Sequence, residues 1–171
     1  MFDWLAPDLS GESIFKLPYA TLWKNGVRGL LFDIDNTLAP FDIPAPDDDT
    51  ARFLSDLSQS GFSVCLISNG SKRRVNAFNA YLKFPVVYRA FKPLKRGVLK
   101  AMKIIGTTPE TTALVGDQLF TDVLCGKRCG VFTALLKPAS KRDEFSVRIK
   151  RGVERRFLKY FAKAGKLVDK L

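Results

Sequence analysis

From Gly26 onward, short apolar runs alternate with amphipathic stretches of helical length: VRGLLFDID, DDTARFLSDLSQSG, SVCLIS, SKRRVNAFNAYLKF, PVVYR, KRGVLKAMKIIG, TTALVG, QLFTDVLCGKRCG and VFTALL follow one another. Apolar runs too short for a helix, separated by helix-length segments, predict an α/β domain in which a parallel sheet is wrapped by helices. Five strands are expected, over Val27–Ile34, Ser63–Ile67, Val86–Arg89, Thr112–Val115 and Val131–Leu136. Gly61, Gly106 and Gly130 stand where helical stretches end and supply their stops. Residues 1–25 read as a lead-in with one short helix around Tyr19 to Lys24, residues 26–137 as the core, and residues 138–171 as a basic helical tail.

With 46% apolar residues in a chain of 171, there is enough material for one packed core. There is no histidine, which removes the usual neutral-pH base and the commonest zinc ligand. A net charge of +11 points to an anionic partner: nucleic acid, a phospholipid surface or a phosphorylated substrate. Most of that charge is in the tail, because Lys137 to Leu171 holds twelve basic and four acidic residues. Cys65, Cys125 and Cys129 are odd in number and suit buried thiols better than a disulfide framework or a zinc site. The opening MFDWLAPDLSGES lacks the basic start and apolar run of a signal peptide, and no stretch reaches the roughly 20 apolar residues of a membrane span. The expected location is the cytoplasm, with the membrane surface as a further option.

In open α/β sheets ligands bind beyond the carboxyl ends of the strands, so the residues that follow each apolar run are the ones to question for chemistry. The first run ends in Asp33-Ile34-Asp35-Asn36-Thr37, the second in Ser68-Asn69-Gly70, the third in Phe91-Lys92-Pro93, and the fourth in Gly116-Asp117 with Asp122 shortly after. Each alone is explained by a turn, a helix cap or a solvated charge. Together they present acid, hydroxyl, amine and acid in order. Carboxylates converging on one cleft repel unless a cation joins them. Oxygen ligands without histidine suit Mg²⁺, which also accepts phosphate oxygens.

This order resembles the four motifs of the haloacid dehalogenase superfamily, carried here by DIDNTL, the serine of ISNG, the lysine of FKP, and GDQLFTD. The longer strings RGLLFDIDNTLAPFD, GDQLFTDVLCGKRCGVFTALLKP and VRIKRGVERRFLKY are similar to the YqeG-type branch, which is related to phosphatidylglycerophosphate phosphatases. The resemblance implies a single Rossmann-like domain with helices on both faces. It implies Asp33 as the nucleophile that forms an aspartyl-phosphate, and Asp35 as the acid and then the base. Thr37, Ser68, Asn69 and Lys92 would hold the phosphoryl group. Asp33, the main-chain carbonyl of Asp35, and Asp117 would bind Mg²⁺, with Asp122 supporting from behind.

Leu38 to Ser68 and Asn69 to Lys92 leave no room for an inserted cap domain, so the site should be open to a large or surface-bound substrate. The tail places Ile149, Val153, Phe157, Tyr160 or Phe161, Ala164, and Leu167 or Val168 at helical spacing. That stripe either packs on the body and leaves a solvated basic face, or lays its cations on anionic lipid; the two are compatible. Lys72, Arg73 and Arg74 could extend such a surface or merely be solvated. No RNA or DNA motif is present. The expected function is Mg²⁺-dependent hydrolysis of a phosphomonoester, with phosphatidylglycerophosphate preferred. The alternatives are another phosphoester, or a binding or assembly factor with a vestigial site, against which the intact set Asp33, Asp35, Ser68, Lys92 and Asp117 argues.

Overall fold

The computed structural model describes residues 2–140 and 145–167, and in the last helix the side chains from Arg151 onward. In chain order the strands are β1 (Leu9–Gly11), β2 (Gly29–Phe32), β3 (Ser63–Ile67), β4 (Val86–Val87), β5 (Thr112–Gly116) and β6 (Phe132–Leu136). The helices are α1 (Tyr19–Lys24), α2 (Asp48–Gln59), α3 (Lys72–Phe78), α4 (Arg96–Ile105), α5 (Leu124–Cys129) and α6 (Phe145–Lys163). All strands pair in parallel in the order β1-β6-β5-β2-β3-β4. The sheet therefore has six strands where the apolar runs predict five.

The sixth, β1, lies within the expected lead-in. Three residues are too few to show a period, and β1 owes its place to long-range partners. Asp8, just before it, accepts hydrogen bonds from the Thr133 amide (2.8 Å) and hydroxyl (2.7 Å) and pairs with Lys127 (2.5 Å). Leu9 then aligns with Ala134 at the sheet edge.

β2 and β5 are buried along their whole length, as parallel strands covered on both faces must be. Successive side chains divide between the two faces. Leu30, Phe32, Val64, Leu66, Ala113 and Val115 pack with Leu22 of α1, Leu54 and Leu57 of α2, and Val75 and Phe78 of α3. Leu31, Cys65, Ile67 and Leu114 pack with Val98, Ala101 and Met102 of α4 and Cys125 and Cys129 of α5. The three cysteines are free and buried.

Local signals set the helix ends. Asp47 caps α2 by accepting from the Thr50 amide (2.8 Å), and Asp48 and Asp49 complement the positive end of that helix. Gly106 and Gly130 end α4 and α5 at φ of 71° and 73°, where a Cβ is disfavoured.

After β2 the chain moves outward through β3 to β4, then returns to β2's other side with β5. The carboxyl end of β2 is thus the switch point of the sheet, where the two directions part and a crevice opens. Among the described residues no inserted domain covers it. The α6 helix docks nearby: Phe161 is fully buried against Leu5, Leu119, Val123 and Leu135, with Phe157, Leu158 and Leu167 packed beside it. Val153 and Tyr160 remain about half exposed, while Ile149 and Val168 of the predicted stripe lie outside the described side chains. No helix among the described residues is long and apolar enough to cross a membrane.

Candidate active site

Asp33 is the first residue beyond β2, and its amide still donates to the Val115 carbonyl (2.9 Å), so its backbone is fixed by the sheet. Lys92 reaches it from the loop after β4. The buried ammonium donates to Asp33 Oδ1 and to Asp122 Oδ1, each at 2.6 Å, and to the Ile67 carbonyl at 3.3 Å. Asn69, from the turn after β3, fixes the main chain of Lys92: its Oδ1 accepts from the Lys92 amide (2.7 Å) and its Nδ2 donates to the Lys92 carbonyl (3.0 Å). Asn69 therefore meets Lys92 with its whole amide group.

Asp122 sits in a π-helical turn, Leu119–Val123, that leads into α5. Such turns recur at functional sites because they re-aim one side chain without ending the helix. Its second oxygen, Oδ2, accepts from the Gln118 amide (3.1 Å) and the Thr121 hydroxyl (3.4 Å). Close approach at this point requires Gly116, since a Cβ there would overlap the Asp122 carboxyl group. Gly116→Ala is expected to displace Asp122 and lower turnover by about 10²-fold with the fold retained, checked by steady-state kinetics beside circular dichroism.

Asp33, Asp117 and Asp122 are all buried, with one carboxylate oxygen of each within 4.8 Å of the others. The Thr37 hydroxyl lies between Asp33 Oδ2 (3.2 Å) and Asp117 Oδ1 (3.4 Å). One hydroxyl has one proton and can serve only one of these acceptors at a time. The pair of oxygens is thus under-supplied with positive charge, and a hard divalent cation fits this donor set.

Burial pushes the Asp33 carboxyl well above the usual carboxylate range; Lys92 opposes that, and Asp122 and Asp117 add to it. For Lys92, burial alone would lower the pKa, but Asp122 and Asp33 outweigh it and hold the ammonium charged above its ordinary value. Burial, then Asp122, lifts Asp117 to about 6, against the pull of Arg151. Because Asp117 binds its proton more tightly folded than unfolded, its contribution favours the native state below pH ~4 and is lost as pH rises through about 6. Without divalent ions, stability from urea unfolding should fall between those limits relative to Asp117→Asn, which has no carboxyl to titrate.

Asp35 occupies the more open side of the crevice. Its Oδ2 accepts from the Ser68 hydroxyl (3.2 Å), which itself accepts from the Gly70 amide (2.9 Å). Its Oδ1 pairs with Arg74 of α3 at 3.0 Å. From its sequence context Arg74 reads as surface charge, lipid-facing or solvated. Instead it enters the crevice, with its Nη1 buried and lacking a hydrogen-bond partner among the described residues.

A second arginine arrives from further away. Arg151 of α6 pairs with Asp117 Oδ2 and donates to the Asp117 carbonyl (3.3 Å). Nothing in the local pattern of the tail separates Arg151 from its basic neighbours; only docking of α6 does so. Glu154, one turn on, is buried and accepts from the Phe120 amide (2.9 Å), which ties the helix to the turn that carries Asp122.

Residues 40–130 match the haloacid dehalogenase-like hydrolase family. Over 159 residues the chain is 34% identical to a Bacillus subtilis (strain 168) protein described as "Probable phosphatase YqeG", covering 93% of this chain and 92% of the relative. It is 28% identical to the chloroplastic/mitochondrial phosphatidylglycerophosphate phosphatase 1 of Arabidopsis thaliana, over 95% of this chain but 50% of that protein's length. In fold it is similar to the cobalt-bound deoxy-D-mannose-octulosonate 8-phosphate phosphatase of Haemophilus influenzae, with a TM-score of 0.52, 17% identity, and 67% and 80% of the two chains covered. A subfamily III A hydrolase of the haloacid dehalogenase superfamily from Legionella pneumophila gives the same TM-score at 18% identity, with 66% and 67% covered. With a family match over more than half its length and a 34% identical relative spanning nearly all of it, the chain belongs to the haloacid dehalogenase-like hydrolases, as one of their phosphatases.

Proposed function

We propose that the chain is a Mg²⁺-dependent phosphomonoester hydrolase that works through an aspartyl-phosphate on Asp33 and takes phosphatidylglycerophosphate as its substrate. The observation that carries the chemistry is the buried cluster in which Lys92 joins Asp33 to Asp122 while Asp117 stands beside them. Both oxygens of Asp122 are already engaged, which suits a supporting role. Asp33 and Asp117, with the main-chain carbonyl of Asp35, are then the residues to hold Mg²⁺. When bound, the ion neutralises charge on the transferring phosphoryl group.

A carboxylate oxygen of Asp33 attacks phosphorus and the bond to the ester oxygen breaks. Asp35 gives a proton to the departing alkoxide, then takes one from the water that attacks the aspartyl-phosphate, returning Asp33 and releasing phosphate. Ser68 and Arg74 orient Asp35 for both steps. Lys92 stabilises the equatorial oxygens as charge spreads over them, and Thr37 orients the Asp33 loop. Asn69 serves phosphate binding through the position of Lys92, and Arg74 Nη1 offers a further donor.

The lipid substrate is supported by the phosphatidylglycerophosphate phosphatase relative and by a crevice without an inserted cap. The same reading divides the chain at residues 25 and 137 into lead-in, core and basic tail, with β1 joining the first segment to the sheet of the second. The test measures phosphate released from phosphatidylglycerophosphate in vesicles, from glycerol phosphate and from an aryl phosphate, with Mg²⁺ or a chelator. We expect Mg²⁺-dependent turnover and a preference for the lipid of about tenfold or more in kcat/KM. Preference for a soluble ester would remove the lipid substrate and leave the enzyme class. Mg²⁺-independent release would remove the metal, and no release from any of the three would remove the whole reading.

A further inference from the structure

We propose that the loop bearing Lys92, together with the first turns of α3 and α4, is a docking face for an anionic lipid bilayer. The inference rests on the phospholipid reading above and adds where the protein meets the membrane. The sequence alone directs attention to the tail as the basic element; the folded chain directs it elsewhere.

Between Leu57 and Pro109 there are ten lysines and arginines and not one aspartate or glutamate. Those residues build β3 and β4 at one end of the strand order, with α3 and α4 on opposite faces of them. In a parallel sheet every strand-to-helix turn lies at the same edge, so the cations that open α3 and α4 gather at the edge where the crevice opens. Lys72, Arg73, Lys95 and Arg96 are exposed there. The turns are in contact: the Arg89 amide donates to the Gly70 carbonyl (3.0 Å), and the Lys72 ammonium lies 5.8 Å from the centre of the Tyr88 ring. Of the tail, Arg151 is turned inward onto Asp117 and is not part of this surface.

Two large apolar side chains stand among these cations. Phe91 is 59% exposed and Leu94 55% exposed, on either side of Lys92 and Pro93. The Leu94 amide donates to the Phe91 carbonyl (2.8 Å), closing a tight turn. Phe91 sits at φ 55°, a left-handed conformation that a bulky aromatic adopts only when its surroundings impose it. Here they do: Cys125 Sγ contacts the Leu94 carbonyl (3.3 Å), Arg128 donates to the Pro93 carbonyl (3.2 Å), and Asn69 clamps Lys92. The turn is held firmly from beneath while its two apolar tips face outward.

Apolar tips exposed at the same sheet edge as lysines and arginines suit the boundary between acyl chains and anionic headgroups. The tips enter the acyl region and the cations meet phosphates. A soluble phosphoester needs neither. A nucleic acid would use the cations and could stack on Phe91, but it has no use for Leu94. A bilayer seated here would also deliver a lipid headgroup beside Lys92.

The 171-residue chain is sedimented with phosphatidylcholine vesicles that contain or lack phosphatidylglycerol. Binding to the anionic vesicles, weakened by salt, is expected. Phe91→Asn/Leu94→Gln, in which asparagine tolerates the positive φ, should reduce the bound fraction about tenfold or more. Arg73→Glu/Lys95→Glu should do the same at low salt. Hydrolysis of a soluble aryl phosphate by both pairs should stay within about twofold of the unaltered protein, which reports an intact fold and site. Undiminished vesicle binding by either pair, equal binding to neutral vesicles, or retention on single-stranded RNA with none on vesicles would overturn the proposal. Binding to anionic vesicles without hydrolysis of phosphatidylglycerophosphate would leave the docking face in place and remove only the substrate reading.

Discussion

Asp33→Asn should lower Mg²⁺-dependent turnover of an aryl phosphate by on the order of 10⁴-fold or more, the scale of losing a nucleophile whose partners act as one unit. An amide cannot form the aspartyl-phosphate, and among the described residues no second acceptor stands in its place: Asp122 is engaged by Lys92, Gln118 and Thr121, and Asp117 by Arg151. The fold should survive. Burial already holds the Asp33 carboxyl above the usual range, so replacing it with a neutral isostere removes little that favours the native state, and Lys92 keeps Asp122 as its counter-ion. The change in unfolding free energy should stay within about 1 kcal/mol. Urea unfolding and phosphate release on one preparation check both halves. A variant retaining more than about a hundredth of the activity would show that the phosphoryl group is not accepted at Asp33.

Lys92→Met reverses that balance. Without the ammonium, Asp33 and Asp122 face each other across a buried space with no cation between them, and Asp117 adds a third carboxylate. Removing one partner of a buried ion pair costs about 3–5 kcal/mol, because the charge left behind is not returned to water. The loss should be largest near neutral pH and shrink in acid, since Asp33 takes up a proton far more readily than an exposed carboxylate. Unfolding curves at pH 7.5 and pH 5, compared with the unaltered protein, give the result. A pH-independent loss, or none, would show that Lys92 does not neutralise this cluster. Asp33→Asn/Lys92→Met should be less unstable than Lys92→Met alone, since one uncompensated carboxylate has gone.

The parallel sheet, the positions of five strands and the list of strand-end residues were all legible before folding. Their signals are local: apolar runs of strand length, glycine at helix ends, and polar groups placed just past each run. Parallel topology then does the rest, because it brings every strand's carboxyl end to one edge whatever the exact register. Asp33, Ser68, Lys92 and Asp117 could for that reason be grouped from sequence alone. Helix α1 was equally readable, since Pro18 precedes it and the apolar spacing is helical.

Other features depended on residues far apart in the chain. Strand β1 forms because Asp8 meets Thr133 and Lys127, more than a hundred positions away. Arg74 and Arg151 looked like two among many exposed cations, and only packing selected them. The start of α3 after Ser71 sends Arg74 toward Asp35, and burial of Phe161 sets α6 so that Arg151 meets Asp117. The basic character of this protein was divided in the same way. The order of residues determined that the chain is cationic and that the stretch from Leu57 to Pro109 lacks carboxylates, whereas the tertiary structure decided which cations face inward to balance buried aspartates and which stand exposed at the same sheet edge as Phe91 and Leu94. The physical reason is that charge number belongs to the residues themselves, but the partner of each charge is decided by what packing brings within a few ångströms of it.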